Sequence, residues 1–293
     1  MRKLIALPIV LVIVVAAASG RYAGQEPRVR ETVRVATYNI HKGADRRGRY
    51  HLDRTIETMA RSGADVIGAQ EVMRNHLETG CADQPALIAA GLRQRTGDAW
   101  TYVHKPAWIY ERRDCLASGR GDGVETEDLV IFSRERILWS DWVRLGEGRI
   151  GLAVRVAGLP DTSIVVTHLS PNRSGQEDRA RELEVLLPWA AKQRAGVLMG
   201  DLNAVANAPE LAPVFARYRD AWPAAAARGR IDGVPTGSTR PNRVSRIDYV
   251  LTAPDFTLTL DTVTVIDTAT LGLGEVSDHH PVVATFRRTT STQ

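Results

Sequence analysis

Residues able to do acid–base and metal chemistry recur in this chain at the ends of apolar runs. Asn39 closes the run Val33 to Tyr38, Glu71 follows Val66 to Ala69 by two positions, and His168 ends Ile164 to Thr167. Asp201 and Asn203 follow Val197 to Gly200, and Asp248 lies within Arg246-Ile247-Asp248-Tyr249-Val250. Asp278-His279-His280 precede a last apolar run that opens at Pro281. A carboxylate, amide or imidazole placed where a buried strand emerges is held rigidly yet meets solvent, which suits a catalytic group. One such residue would read as a turn or cap, because Asp and Asn bond readily to nearby backbone. Repetition along the whole chain reads as a site.

The residue types fit one reaction. Hydrolysis of a phosphoester needs an aligned water, a base to activate it, and donors or positive charge on the phosphate oxygens. Asp201 can supply the base, Asn39 and Asn203 neutral donors, and His279 or His168 a proton and charge. Glu71 is a hard oxygen ligand of the kind that suits Mg²⁺ or Mn²⁺, ions that keep waters and bind a phosphate directly. Arg240, Arg243 and Arg246 precede Asp248, and Arg243 and Arg246 are candidate phosphate contacts; the bland alternative for such a run is a solvated face. Other chemistries lack their motifs: there is no G-x-S-x-G elbow, no phosphate-binding P-loop and no dinucleotide fingerprint.

The elements that must hold these groups alternate in type. Val33 to Ile40, Asp65 to Gln70 and Trp100 to Lys105 read as strands, with helices at Leu52 to Arg61 and Pro85 to Arg95 between them. Residues 111 to 127 are charged and glycine-rich, hence a loop. Strands follow at Asp128 to Ser133, around Trp139 to Leu145, and at Gly151 to Val156 and Ser163 to His168, the last two joined by a turn at Pro160-Asp161. Then come a helix at Gln176 to Gln193, a strand at Val197 to Met199 and a helix at Pro209 to Tyr218. A polar loop over 228 to 243 leads to strands at Arg246 to Leu251, Thr257 to Ile266 and Pro281 to Phe286. Strands in both halves with helices between them imply a mixed-sheet α/β sandwich. No Pro/Gly-rich linker divides residues 33–288, so they read as one domain with a short tail, 289–293.

Read as tripeptides to pentapeptides, Tyr38-Asn39-Ile40, Gln70-Glu71-Val72, Thr167-His168-Leu169, Gly200-Asp201-Leu202-Asn203, Arg246-Ile247-Asp248-Tyr249 and Ser277-Asp278-His279-His280-Pro281 resemble, in order, the motifs of the endonuclease/exonuclease/phosphatase superfamily. That superfamily includes deoxyribonuclease I, abasic-site endonucleases and sphingomyelinases. The resemblance spans roughly residues 33 to 286 and implies a four-layer sandwich, two packed mixed β-sheets flanked by helices. It also implies roles. Glu71 would be the principal metal ligand with Asn39 beside it, and Asp278 a second ligand or simply the cap of its turn. Asp201 would align or deprotonate the attacking water, and Asn203 contact the phosphate. Asp248 would orient His279 and keep it charged. His168 stands where deoxyribonuclease I and sphingomyelinases have histidine, which disfavours an abasic-site enzyme.

The N-terminus adds a compartment. Arg2 and Lys3 precede an apolar run from Leu4 to Ala18 and then Ser19-Gly20, the plan of a secretory signal peptide over residues 1–20, with a polar linker at 21–32. The alternative is an uncleaved anchor on the outer face of the cytoplasmic membrane, for which the run is short. Either way a secreted, periplasmic or externally anchored catalytic part is expected. The only cysteines, Cys81 and Cys115, then read as one disulfide rather than as zinc ligands. A net charge of +4 in 293 residues is too small to argue for nucleic acid by itself. The substrate stays open: nucleic acid, met through Arg240 to Arg246; phospholipid, met through Ala107-Trp108-Ile109-Tyr110; or a small phosphate ester. A phosphodiesterase acting as a monomer is expected, with a phosphomonoesterase and a non-catalytic binding module as the alternatives.

Overall fold

The computed structural model describes residues 31–121, 123–171 and 175–288. The leader at 1–20, nearly all of the 21–32 linker and the 289–293 tail lie outside the described residues. Numbered along the chain, β10 (Ile231–Gly233), β12 (Thr259–Val265), β13 (Val282–Arg287), β1 (Thr32–Asn39), β2 (Val66–Arg74), β4 (Thr126–Ser133) and β3 (Thr101–Ile109) form one sheet in that order. The second sheet runs β5 (Ile137–Gly146), β6 (Arg149–Val156), β7 (Leu159–His168), β8 (Ala195–Asp201), β11 (Asp248–Thr252) and β9 (Arg219–Asp220). Both sheets are mixed: β1 and β2 pair in parallel, as do β7 and β8, while β13 and β11 run antiparallel to their neighbours.

Strand alternation sorts the side chains into layers. Val33 and Val35 of β1, Ile164 and Val166 of β7, and Val197 and Met199 of β8 face the core between the sheets. Ala36, Tyr38, Ile67 and Ala69 face outward from the first sheet against α1 (Leu52–Arg61) and α2 (Gln84–Thr96). Val165, Leu198 and Leu251 face outward from the second against α4 (Gln176–Lys192), whose Leu183, Leu186 and Leu187 cover them. Each buried aliphatic side chain stabilises the fold by roughly 1.5–3 kcal/mol relative to exposure. Local signals agree with the layers. Asp83 caps α2 by accepting from the Ala86 N–H, and left-handed Gly97 ends it. The result is the α/β/β/α sandwich that the motif resemblance implied.

Several boundaries differ from the sequence reading. β3 runs on to Ile109, and the loop expected over 111–127 contains α3 (Asp114–Ala117) and the start of β4, so Glu127 belongs to a strand. The disulfide between Cys81 and Cys115 pins this region to the segment before α2. Pro160 and Asp161 lie inside β7; the chain reverses at Ala157-Gly158 instead. The helix expected over Pro209 to Tyr218 is a short 3₁₀ turn (Pro209–Leu211) and α5 (Ala212–Phe215), because Pro213 has no N–H to bond back to the Pro209 carbonyl and carry one helix through. A further helix, α6 (Ala221–Ala226), follows Asp220, whose side chain caps it. Trp139 and Trp142 face opposite sides of β5, with Arg155 over one ring and Lys105 over the other, so they make no paired apolar patch. No helix among the described residues is long and apolar enough to cross a membrane.

Candidate active site

The inward rows of the central strands all end in polar groups at one end of the sandwich. In β1 the row Val33, Val35 continues to Thr37 and Asn39; in β8 the row Val197, Met199 ends at Asp201; in β7 the row Ile164, Val166 ends at His168. Register then aligns them. His168 lies opposite Asp201, and Asp201 opposite Asp248, in one rung of three strands spaced about 4.8 Å apart. Gly200 makes this pairing possible, since a Cβ there would stand 2.0 Å from the Thr167 carbonyl oxygen. Gly68 does the same between the sheets, where a Cβ would meet Val166 at 2.4 Å.

Glu71 reaches the cleft by a backbone irregularity. The β2–β4 register shifts between Ala69 and Val72, and Glu71 adopts φ +56°. The bulge leaves Gln70 on the inner face, bonded to Thr37, and lets Glu71 project past the strand end. Asn203 is also left-handed, at φ +52°. Such conformations cost on the order of 1–3 kcal/mol in a residue with a side chain and gather at functional sites.

The polar groups form one network across both sheets. The Asn39 amide nitrogen donates to Glu71 Oε1 at 2.9 Å and to Asp201 Oδ2 at 3.1 Å. The Asn203 backbone N–H donates to Asp201 Oδ1 at 2.9 Å, and its side-chain amide donates to the Leu169 carbonyl. His279 Nδ1 stands 2.8 Å from Asp248 Oδ2, while its Nε2 faces Asp201 Oδ2 at 3.6 Å. His168 Nε2 approaches the same oxygen at 3.6 Å. Two hydroxyls set the frame. Ser277 donates to the Asn39 carbonyl and accepts from the His279 N–H, and Thr239 Oγ1 accepts from the Ile247 and Asp248 N–H groups. Asp278 sits at the rim, 3.4 Å from Arg240 and 3.8 Å from His279.

The two histidines are driven to opposite states. Burial opposes charge on His279, but Asp248, Asp201 and Asp278 overcome it and lift its pKa to about 10, so it is an imidazolium at neutral pH. His168 is pushed well below the usual histidine range by burial, Arg149 and His279, so it is neutral. Burial and the Asp248 carboxylate raise Asp201 above the ordinary carboxylate range, which poises it as a base. Glu127, facing inward from β4, is likewise raised by burial and by Glu71.

The donor set fits a hard divalent cation at Glu71. Glu71 and Asp201 supply carboxylate oxygens that converge from two sheets, the Asn39 amide nitrogen bonds to both, and Glu127 adds negative charge nearby, a donor set that suits Mg²⁺ or Mn²⁺. Asp201, Asp248 and His279 also offer atoms within 4.8 Å of one another. A histidine that binds metal must be neutral, however, and His279 is a charged donor to Asp248. That trio is better suited to holding protons.

Of the residues picked out from sequence, Asn39, Glu71, His168, Asp201, Asn203, Asp248, Asp278 and His279 come together here. The arginines do not. Arg246 pairs with Asp220 at 2.7 Å and lies over the Tyr249 ring on the outer face of the second sheet. Arg243 is exposed in the loop before β11, and Arg240 is the one bonded at the rim, through Asp278. Glu127, Arg149, Ser277 and Thr239 were missed. The alternation Glu127, Leu129, Ile131 gave a signal for the first; nothing in sequence marks the others. A second cavity, of about 570 Å³, opens at the opposite end of the strands around Pro160, Arg194 and Phe256, away from these groups.

Comparisons agree with this architecture. The Endonuclease/Exonuclease/phosphatase family matches residues 36–279. No curated protein matches the chain. Among solved structures, an endonuclease/exonuclease/phosphatase from Beutenbergia cavernae has a TM-score of 0.62 at 22% identity, over 88% of this chain and 72% of that one. The human Nocturnin catalytic domain with bound sulfate anion gives 0.61 at 19%, over 88% and 94%. D. rerio TDP2 complexed with single strand DNA product gives 0.58 at 18%, over 88% and 100%. At such identities the likeness is one of fold.

Proposed function

The chain belongs to the Endonuclease/Exonuclease/phosphatase family, whose members are phosphoester hydrolases, and from that premise we propose that it is a divalent-metal-dependent phosphodiesterase working outside the cytoplasm. The observation that carries this reading is the contact chain Asp248–His279–Asp201–Asn39–Glu71, which joins a charged imidazole, a basic carboxylate and a cation cradle in one cleft.

Each group has a task that its surroundings support. Asp201, fixed by the Asn203 N–H and the Asn39 amide, accepts the proton of the attacking water at Oδ2. His279, held by Asp248 through Nδ1, presents its Nε2–H to a phosphate oxygen as negative charge grows there. Neutral His168 offers a further donor without repelling the cationic partner. Asn203 keeps one amide N–H on the Leu169 carbonyl and has the other for the phosphate. A Mg²⁺ or Mn²⁺ ion bound by Glu71, with Asn39 beside it, would supply Lewis-acid charge to the phosphate oxygens. The anions held by two fold neighbours, sulfate in Nocturnin and a single-strand DNA product in TDP2, suit the same reading.

Turnover of bis-p-nitrophenyl phosphate with Mg²⁺, with and without EDTA, tests it. Metal-dependent release of nitrophenol is expected. A folded sample with no metal-dependent turnover of this diester, or of p-nitrophenyl phosphate, would favour a binding module. Export is supported by the basic and apolar leader and by the Cys81–Cys115 bridge, which persists best in an oxidising compartment. Cell fractionation with N-terminal sequencing distinguishes a cleaved leader from an anchor.

A further inference from the structure

A cleft of about 870 Å³ opens beside the catalytic groups, with Trp108, Tyr110, Glu127, Arg149 and Glu182 on its walls. It adjoins the centre at two points. Glu127 feels the Glu71 carboxylate on one side, and Arg149 acts on His168 on the other. Two features of its walls suit a ligand.

The first is an aromatic ledge. Trp108 is 38% exposed on β3, and its ring stands 6.4 Å from Tyr110, which packs edge-on against His76 at 5.5 Å. The back of the indole rests on Gly148, in the turn between β5 and β6, where any Cβ would lie 2.3 Å from the ring. Gly148 also has φ +66°, so the position is closed to other residues on two counts. A flat ring pinned from behind and open in front is a stacking platform. The second feature is Arg149. Its guanidinium is half-buried in the cleft, yet among the described residues no hydrogen bond or ion pair holds it. Glu182, which could have paired with it, is engaged by Ser170 through both its hydroxyl and its N–H. The Glu127 and Glu182 carboxylates lie close enough to attract the guanidinium but do not bond it, so its N–H donors are free for the oxygens of an incoming anion.

Resting on the phosphodiesterase reading, we propose that this cleft is a subsite for a nucleotide flanking the scissile phosphate, in which the base stacks on Trp108 and Arg149 binds phosphate oxygens. The walls select among substrates. Glu127, Glu182, Asp178 and Arg181 line the same cleft, and covering them with an acyl chain would strand charged groups under hydrocarbon. A base carries its own donors and acceptors to meet such walls. Its flat face must be free to lie on the ledge, so an unpaired strand is accepted in preference to a duplex.

The test is a single-stranded oligonucleotide with Mg²⁺, compared with versions carrying one abasic residue at each position in turn, with methyl p-nitrophenyl phosphate, and with sphingomyelin vesicles. In the wild type, one abasic position next to the cleavage point raises KM roughly tenfold, the scale of one lost base–aromatic stack. Trp108→Ala raises KM on the intact strand by a similar factor and removes the penalty of that abasic position, while Trp108→Phe keeps both. Arg149→Ala lowers the ratio of kcat/KM on the strand to kcat/KM on the small diester, and Arg149→Lys restores part of it. Thermal melts of each variant separate these effects from lost folding. Equal sensitivity at every abasic position, an unchanged ratio in Arg149→Ala, or preference for vesicles over the strand would overturn the subsite while leaving the phosphodiesterase intact. Failure to hydrolyse the small diester would instead remove the parent reading, and the subsite with it.

Discussion

Asp201 and His279 are set by the same neighbour, and that coupling makes the pH profile a sharp probe of the centre. Asp248 raises both of their pKa values, Asp201 because two carboxylates repel and His279 because the imidazolium is stabilised. Activity that needs Asp201 ionised and His279 protonated rises as pH passes the elevated Asp201 value and falls near the His279 value of about 10. Removing the Asp248 charge should therefore move both limbs of kcat/KM the same way. In Asp248→Asn the acid and alkaline limbs both shift to lower pH on bis-p-nitrophenyl phosphate. Limbs that move apart would mean that Asp248 does not govern both groups. Stability follows the same logic. Because the folded His279 value lies above the ordinary 6.5, its contribution is complete below 6.5 and is lost as pH rises through about 10. In EDTA, the wild-type melting temperature should fall over that window, and less steeply in His279→Gln. Asp201→Ala and His279→Ala should each cost about 10²–10⁴ in kcat, the usual worth of a placed acid or base, while circular dichroism stays native. Near-native turnover in either would place the chemistry elsewhere.

Among the elements, β8 tolerates least. Gly200 sits between Met199 and Asp201 with φ +151°, and its missing Cβ is what lets β7 and β8 pair at the His168–Asp201 rung. Gly200→Ala should force the strands apart there, costing upward of about 2 kcal/mol by chemical denaturation and most of the activity; a variant of unchanged stability and rate would show that the rung is not held this tightly. The loop side is held covalently. Cys81 and Cys115 are 34 residues apart, and closing a loop of that size is worth about 3–4 kcal/mol on chain-entropy grounds. Reduction or a Cys81→Ser/Cys115→Ser double substitution should lower the denaturation midpoint accordingly. These elements also mark what sequence can reveal. Asn39, His168, Asp201 and Asp248 were legible because each extends or opens an apolar run whose period of two fixes its face. Glu71 was legible as a residue type, but its bulge and positive φ were not, since both depend on the register with β4. Arg246 misled for the opposite reason. A cation beside a site motif resembles a phosphate ligand until tertiary packing supplies Asp220 and Tyr249 as its partners. Arg149 and Trp108 became meaningful only when β3 and the β5–β6 turn met in space.

For the molecule as a whole, the centre lies on the seam between two sheets that share one core. Asn39 and Glu71 come from the first sheet, Asp201, His168 and Asp248 from the second, and a side-chain hydrogen bond from Asn39 to Asp201 links the two sheets there. Glu71, Glu127 and Asp201 crowd negative charge at that seam, so an ion bound by Glu71 relieves repulsion and ties the sheets together at once. Any ligand that binds only the folded state stabilises it by mass action, in proportion to the logarithm of its excess over Kd. Mg²⁺ titrated into the EDTA-treated protein should therefore raise the melting temperature with the logarithm of its concentration above Kd, by roughly 2.7 kcal/mol of stability at a hundredfold excess. The variants locate the ion. Glu71→Gln should abolish the rise, whereas His279→Gln should retain it, because the imidazolium stabilises the reaction without holding the cation. The reverse pattern would assign the metal to the Asp201, Asp248 and His279 cluster instead, and the proton relay would have to be abandoned.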